Sequence, residues 1–240
     1  MFIPGAMLST FTSATGIVTS VSTNGFQDDM LIGQSVHSTG SQFAQMTFLA
    51  PESSLDSPDL STLLEYLAVQ MGERGAYRLL AEIDEGAAVF EALHRLGFAI
   101  YSRQRVWKVS KASSSPVELT WQPACDVDVI GVNSLYHNVV PGLVQQVEPV
   151  LSDKLHGLLY RQADELLAYA QVTYGHRGIW IQPIFHPDAQ NLDELMAGLI
   201  YNLPNRLSRP VYVGIRSYIS WMEPVLEELG AIPGPSQAVM

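Results

Sequence analysis

Gly97 and Gly230 lie 133 positions apart in a chain of 240 residues, and the same order of local patterns recurs around each. Ala76-Tyr-Arg-Leu-Leu-Ala-Glu-Ile83 is matched by Pro210-Val-Tyr-Val-Gly-Ile-Arg-Ser217. A helical stretch ending Leu96-Gly97-Phe98 is matched by one ending Leu229-Gly230-Ala231, and Gln104-Arg105-Val106 by Gln237-Ala238-Val239. Each copy reads as a short apolar strand, a helix closed by glycine and a second strand. Two copies at so long a period make a pair of domains, because solenoids use shorter and more numerous repeats. With 47% apolar residues the chain can fill two cores of ordinary domain size.

Thirteen basic against twenty-four acidic residues give a net charge of −11, which repels nucleic-acid backbones and anionic membrane surfaces at long range. Neither is expected as a partner. The single cysteine, Cys125, has no internal disulfide partner; it is expected as a buried, inert thiol in a reducing, cytoplasmic setting. Met1 to Thr15 lacks the basic start and long apolar core of a signal peptide, and no run of about 18 apolar residues occurs.

Ser110-Lys-Ala-Ser-Ser-Ser-Pro-Val-Glu118 is a polar stretch between two strand-like segments and reads as an interdomain linker. It divides the chain into residues 1–110 and 119–240. In the first domain, 16–22 and 30–37 form a hairpin around Thr23-Asn24-Gly25, 42–49 is a third strand, and Pro58-Asp59 opens a helix with Leu60, Leu63, Leu64, Leu67 and Met71 on one face. In the second, 119–122 is a strand, and 126–147 is helical and divided by Pro141-Gly142. Strands follow at 155–161, 165–174 and 178–185. Asn191, with Glu194 three residues on, is the expected N-cap of a helix carrying Leu192, Leu195, Met196, Leu199, Ile200 and Leu203 on one face; Ser220 and Glu223 repeat the pattern for the last helix.

Phe90-Glu-Ala-Leu-His-Arg-Leu-Gly-Phe98 followed by 99–109, with Val225-Leu-Glu-Glu-Leu-Gly-Ala231 as its second copy, resembles the final helix and strand of the GCN5-related N-acetyltransferase (GNAT) superfamily. The resemblance implies an α+β fold of two tandem GNAT-like (acyl-CoA N-acyltransferase) domains, each a mixed, mostly antiparallel sheet flanked by helices. The first copy lacks the family's opening strand and helices. The implied activity is transfer of an acetyl group from acetyl-CoA to an amine of a small molecule or protein. The cofactor would lie between 178–185 and 211–215, held by the backbone near Ile184 and Phe185 and by Gln190 and Asn191.

The family cradles the pyrophosphate in a glycine-rich loop that leaves a helix N-terminus open to an anion. The matching stretches here, 50–59 and 186–194, contain no glycine and carry Glu52, Asp56, Asp59 and Asp188, Asp193, Glu194. Such acids favour the helix dipole by about 0.3–1 kcal/mol each and repel an incoming phosphate. Both stretches therefore read as capped structural helix starts. Where the family places a thiolate-protonating tyrosine, this chain has Leu93 and Leu226. Tyr218, two turns earlier, is the catalytic candidate, with Tyr174 and Tyr201 behind it, and Glu165, His176 and His186 are candidate bases, with Glu165 preferred.

Six scattered histidines show no metal-ligand spacing, so no metal is expected. Asp28-Asp29 and Asp126/Asp128 read as solvated turns or helix starts, and Gly-x-Ser-x-Gly and Gly-Lys-Ser/Thr are absent. Trp121, Trp180 and Trp221, with Tyr169, Tyr174 and Tyr201, are expected to pack in the core. Two rivals to the enzyme stand: a catalytically inactive GNAT-fold module that binds a ligand or protein, and a homodimer joined through a last strand that stops at Met240 and leaves an edge for a second copy.

Overall fold

A computed structural model describes residues 6–12, 17–24, 30–109, 121–148, 155–175, 178–204, 206 and 209–240, the first two segments as backbone alone. The fold is α+β, with helices packed on mixed sheet, and separates into two compact units: residues 1–101 with 237–240, and residues 102–236. Among the described residues no helix is long and apolar enough to cross a membrane.

In the first unit β1 (Ala6–Thr12), β2 (Ile17–Asn24), β3 (Met30–His37) and β4 (Phe43–Ala50) pair antiparallel in chain order. Helix α1 (Asp59–Gly72) then crosses to β5 (Arg78–Asp84), which lies parallel to β4. The expected stripe of Leu60, Leu63, Leu64, Leu67 and Met71 is buried along α1. It faces the side of β3 on which Leu31, Gly33, Ser35 and His37 alternate inward, and a Cβ at Gly33 would meet Leu67 Cδ1 at 2.8 Å. Helix α2 (Ala88–Arg95) completes the core with Ala92 and Leu93.

In the second unit the strands are β6 (Ser102–Val109), β7 (Gln122–Pro123), β8 (Gly157–Gln162), β9 (Glu165–Tyr174), β10 (Ile179–Phe185), β11 (Val211–Arg216) and β12 (Ile232–Val239). Their order is β12-β6-β11-β10-β9-β8-β7, and β10 is parallel to β11. Helices α3 (Val129–Val139) and α4 (Gly142–Val147) are separated at Val140-Pro141, as the proline predicts. Ala163 and Asp164, both at positive φ, make the two-residue β8–β9 turn. Helix α5 (Leu192–Tyr201) crosses from β10 to β11 and buries Leu195, Met196, Leu199 and Ile200; α6 (Glu223–Glu228) leads to β12.

The 133-residue correspondence reaches the hydrogen bonds. Gly97 (φ 95°) and Gly230 (φ 71°) close α2 and α6 with the same two bonds. Phe98 N–H donates to Leu93 O and Gly97 N–H to His94 O; Ala231 N–H donates to Leu226 O and Gly230 N–H to Glu227 O. Leu93 and Leu226, whose carbonyls accept these bonds, are fully buried.

The strands that follow these caps are exchanged. β6 comes after the first unit's α2 yet pairs antiparallel with β11 of the second. β12 begins in the second unit, but its end, Gln237–Val239, pairs with Glu82–Asp84 of β5 in the first. Met240 N–H donates to Ala81 O, and Tyr101 N–H donates to Val239 O on the other edge, so the expected free edge for a second copy is occupied within the chain.

Other expectations are corrected. A strand, β1, precedes the expected hairpin in the first unit. Ser220 lies within a 3-10 segment, Ser217–Met222, so Met222 is the residue that precedes α6. At α1 Pro58 makes no cap, and the first helical N–H, that of Asp59, donates instead to Ser57 Oγ at 3.2 Å; α5 has no side-chain cap from Asn191, which precedes it in the left-handed region that an N-cap does not use. Cys125 is exposed because it opens a surface 3-10 turn, where Asp128 accepts from both its N–H and its S–H. Trp121 and Tyr169 are buried, whereas Trp221, Tyr174 and Tyr201 lie at the surface. The expected linker, Gly25, Asp28, Asp29, His176 and the start of the 119–122 strand fall outside the described residues.

Candidate active site in the second unit

The parallel pairing of β10 with β11 runs from Ile179↔Val211 to Ile181↔Val213 and stops. Its stopping point has a chemical cause. Ile179 N–H donates toward β11, to Pro210 O, while His186 N–H donates toward β9, to Leu167 O. Backbone groups alternate along a strand, so residues 181, 183 and 185 address β11. The next donor needed after Ile181 belongs to Pro183, which has no N–H. Beyond it the β10–β11 pairing does not continue, and Pro183 and Phe185 are both buried, Phe185 fully. Ile184 turns its backbone groups to Tyr169 of β9, while those of Phe185 face β11 in a fully buried position.

Helix α5 begins beside this point. Its first intrahelical bond is Leu195 N–H to Asn191 O at 2.9 Å, which leaves the N–H groups of Leu192, Asp193 and Glu194 without helical acceptors. Asn191 makes no side-chain cap to them. Gln190 and Asn191 are exposed, Ala189 is buried, and the loop is held by Asp188 N–H donating to His186 Nδ1 at 3.2 Å. Phe185, Gln190 and Asn191 thus gather at one end of the sheet. Asp193 and Glu194 are exposed in the first turn of α5.

Tyr218 stands just past the end of β11, half-buried. Burial pushes its hydroxyl up to about 12, with Arg216 lowering and Glu148 raising it. Arg216 is itself buried at the end of an apolar strand and donates to Glu148 at 2.8 Å. Glu148 follows α4, and its backbone carbonyl accepts from the Tyr136 hydroxyl of α3. Burial, followed by the charge of Glu148, pushes that second tyrosine well above the ordinary range. Both phenols stay protonated at neutral pH and can only donate or accept hydrogen bonds. Sequence reading missed Tyr136, Glu148 and Arg216; the visible signal was an arginine closing the apolar run Val211-Tyr-Val-Gly-Ile215.

Glu165 is exposed at the first residue of β9, opposite Gln162 across the hairpin. It shares an end of the sheet with Tyr218 but lies two strands away, and the charged groups that act on Tyr218 are Arg216 and Glu148. No metal-binding group of three His, Cys, Asp or Glu occurs among the described residues.

No protein-family model matches the sequence, and no curated protein matches it. Solved structures do. A GCN5-related N-acetyltransferase from Sphaerobacter thermophilus is similar over 94% of this chain and 79% of its own, with a TM-score of 0.56 and 10% identity. A tandem GNAT protein from the clavulanic acid biosynthesis pathway is similar over 95% and 83%, with a TM-score of 0.51 and 16% identity. A conserved protein of unknown function from Staphylococcus epidermidis is similar over 100% and 94%, with a TM-score of 0.55 and 12% identity. At these identities the likeness is one of fold, and the chain has the GNAT acetyltransferase fold.

Proposed function

We propose that the chain is an N-acyltransferase built from two tandem copies of the GNAT fold, with its transfer site in the second unit. The observation that carries this reading is the β10–β11 pairing that ends at Pro183 beside an uncapped α5. Acetyl-CoA would part the two strands further where their pairing ends, so that the pantetheine arm reaches the now buried backbone of Phe185 and the pyrophosphate meets the N–H groups at the start of α5, with Gln190 and Asn191 at its edge. The exposed carboxylates of Asp193 and Glu194 weaken this contact without blocking the donors.

The acceptor amine attacks the thioester carbonyl, the C–N bond forms as the C–S bond breaks, and the products are an amide and CoA thiolate, which takes a proton from water while the amine proton is passed from Glu165 to solvent. Tyr218, protonated throughout the working range, donates a hydrogen bond to the sulfur as negative charge develops there. Glu165 takes the amine proton through intervening water. Positioning supplies much of the rate, since no covalent intermediate with the protein forms. The net charge of −11 favours a cationic acceptor such as a polyamine, an aminoglycoside or a lysine side chain. A cytoplasmic setting, where acetyl-CoA and such amines meet, accords with a chain that has one cysteine.

Acetyl-CoA mixed with a panel of these amines should release free thiol with at least one of them. Tyr218→Phe should then lower kcat by about 10²-fold while leaving acetyl-CoA affinity unchanged. A second reading, a binding module that transfers nothing, draws on the glycine-free loop before α5 and on Leu226 at the family's tyrosine position. Tight acetyl-CoA binding without thiol release across the panel would favour it and count against the transferase.

A further inference from the structure

Only Asp28 and Asp29 are charged among the first 50 residues, although the chain carries thirteen basic and twenty-four acidic residues. The strands of that region, β1 to β4, contain no lysine, arginine, aspartate or glutamate. One side of this sheet is accounted for, since α1 packs on β2 and β3, and Leu31, Gly33, Ser35 and His37 are buried on that side. On the other side Met30, Ile32, Gln34 and Val36 alternate outward along β3, and the register sets Thr23, Val21, Thr19 and Ile17 of β2 beside them.

A bulge in β4 adds an aromatic to that outer side. The β3–β4 register shifts between Gln34 and Ser35, so that Thr47 is an extra residue, its hydroxyl donating to Gln34 Oε1 at 3.1 Å. Without the insertion Phe48 would stand opposite Gly33, on the side that α1 covers; with it Phe48 stands opposite Gln34, on the outer side. Met30 is 47% and Phe48 51% exposed, and with Ile32 they line a hollow of about 420 Å³. The second unit treats the corresponding strands differently. β4 and β10 each precede a helix that crosses to a parallel strand, and over β9 and β10 lies α3, with Val132 and Leu135 buried outside the core that α5 fills. Among the described residues no helix takes that position over β3 and β4; α1 and α2 pack on β2, β3 and β5.

The absence of charge points to the partner. In a twofold contact each face meets a copy of itself, so a charge near the axis would face its like. This face carries none, whereas the net charge of −11 elsewhere keeps copies of the chain apart. Four strands about 4.8 Å apart and about 25 Å long make a flat face of about 500 Å², which the relief of the side chains raises toward the roughly 800 Å² per partner of a standard interface. We propose that the outer face of β1 to β4 in the first unit packs on the same face of a second copy, sheet against sheet, with Met30, Ile32, Val36 and Phe48 among the contacting side chains. This contact is separate from the transfer site and does not depend on the transferase reading.

The test is the mass of the full chain by sedimentation between about 1 and 100 μM, the weak end of the range for interfaces of this size. The chain should pass from monomer to dimer, with the methyl signals of Met30 and Ile32 shifting over the same concentrations. Phe48→Glu and Met30→Lys, at positions half open to solvent, should each weaken association by about 100-fold and leave the thermal melt of the dilute protein unchanged. Val69→Glu, on the exposed side of α1, should leave the dimer intact. A monomer at about 100 μM, which would leave the face to a helix of another protein, would overturn the proposal. So would a dimer that persists in the folded Phe48→Glu and Met30→Lys chains, one that Val69→Glu breaks as readily, or signals of Met30 and Ile32 that do not follow concentration.

Discussion

Asp128 shows how one side chain can hold a turn and set the chemistry of a neighbour. Its carboxylate accepts from the S–H and N–H of Cys125 and pairs with Arg161 at 2.8 Å. The Cys125 S–H bond, then the Cys125 N–H bond, with a smaller part from Arg161, hold the carboxyl below its ordinary value of 3.8. A group whose folded value is depressed contributes stability above its unfolded value and loses it as pH falls through the folded one. Asp128→Asn should therefore cost about 1 kcal/mol at neutral pH, and its loss of stability below about pH 4 should be shallower than that of the unmodified chain. Thermal melts across that range read both effects. The same carboxylate holds the exposed Cys125 thiol above its usual range, so the variant should also alkylate faster at Cys125. Equal melting curves and equal alkylation rates would show that the contact has no energetic role.

Among the elements, the strands of the second unit approach most tightly at Gly157, where a Cβ would lie 2.1 Å from the backbone oxygen of Ala170. At Gly33 the obstruction is the movable ends of Leu67 and Leu63. Gly157→Ala should cost about 3 kcal/mol or more and Gly33→Ala about 1 kcal/mol, because a paired strand cannot step aside as a leucine methyl can; denaturant midpoints decide between them. These elements were largely legible in the sequence. The α1 stripe, the break at Pro141, the limits of β9 and the glycine ends of α2 and α6 follow from periodicity and turn chemistry over short spans. Pro183 was present to be read as the end of a ladder, but only knowledge of which residues face β11 gives it that meaning. The bulge at Thr47 and the pairing of Tyr136, Glu148 and Arg216 were not legible, because each depends on contacts between distant segments that leave no local pattern.

Neither were the partners of the last strands at the scale of the whole chain, β6 beside β11 and the end of β12 beside β5. Both copies end in a strand of similar type, so local pattern says that a strand follows each helix cap without saying which sheet receives it. Removing Gln237–Met240 should strip the first unit of its pairing at Ala81–Asp84 and of the buried Ala238 and Met240. Full burial of one large apolar side chain is worth about 1.5–3 kcal/mol. Hydrogen exchange should then quicken along β5 before it does along β10; unchanged protection of β5 would mean that the exchanged strand carries no stability. The transfer site is tested most directly by titrating acetyl-CoA into the full chain at low salt while following backbone amides. Saturation in the micromolar range, about −8 kcal/mol, with one site per chain and shifts at Phe185 and Leu192 to Glu194, is the predicted result. No saturable binding at millimolar acetyl-CoA, or shifts that leave Phe185 and the start of α5 untouched, would contradict it.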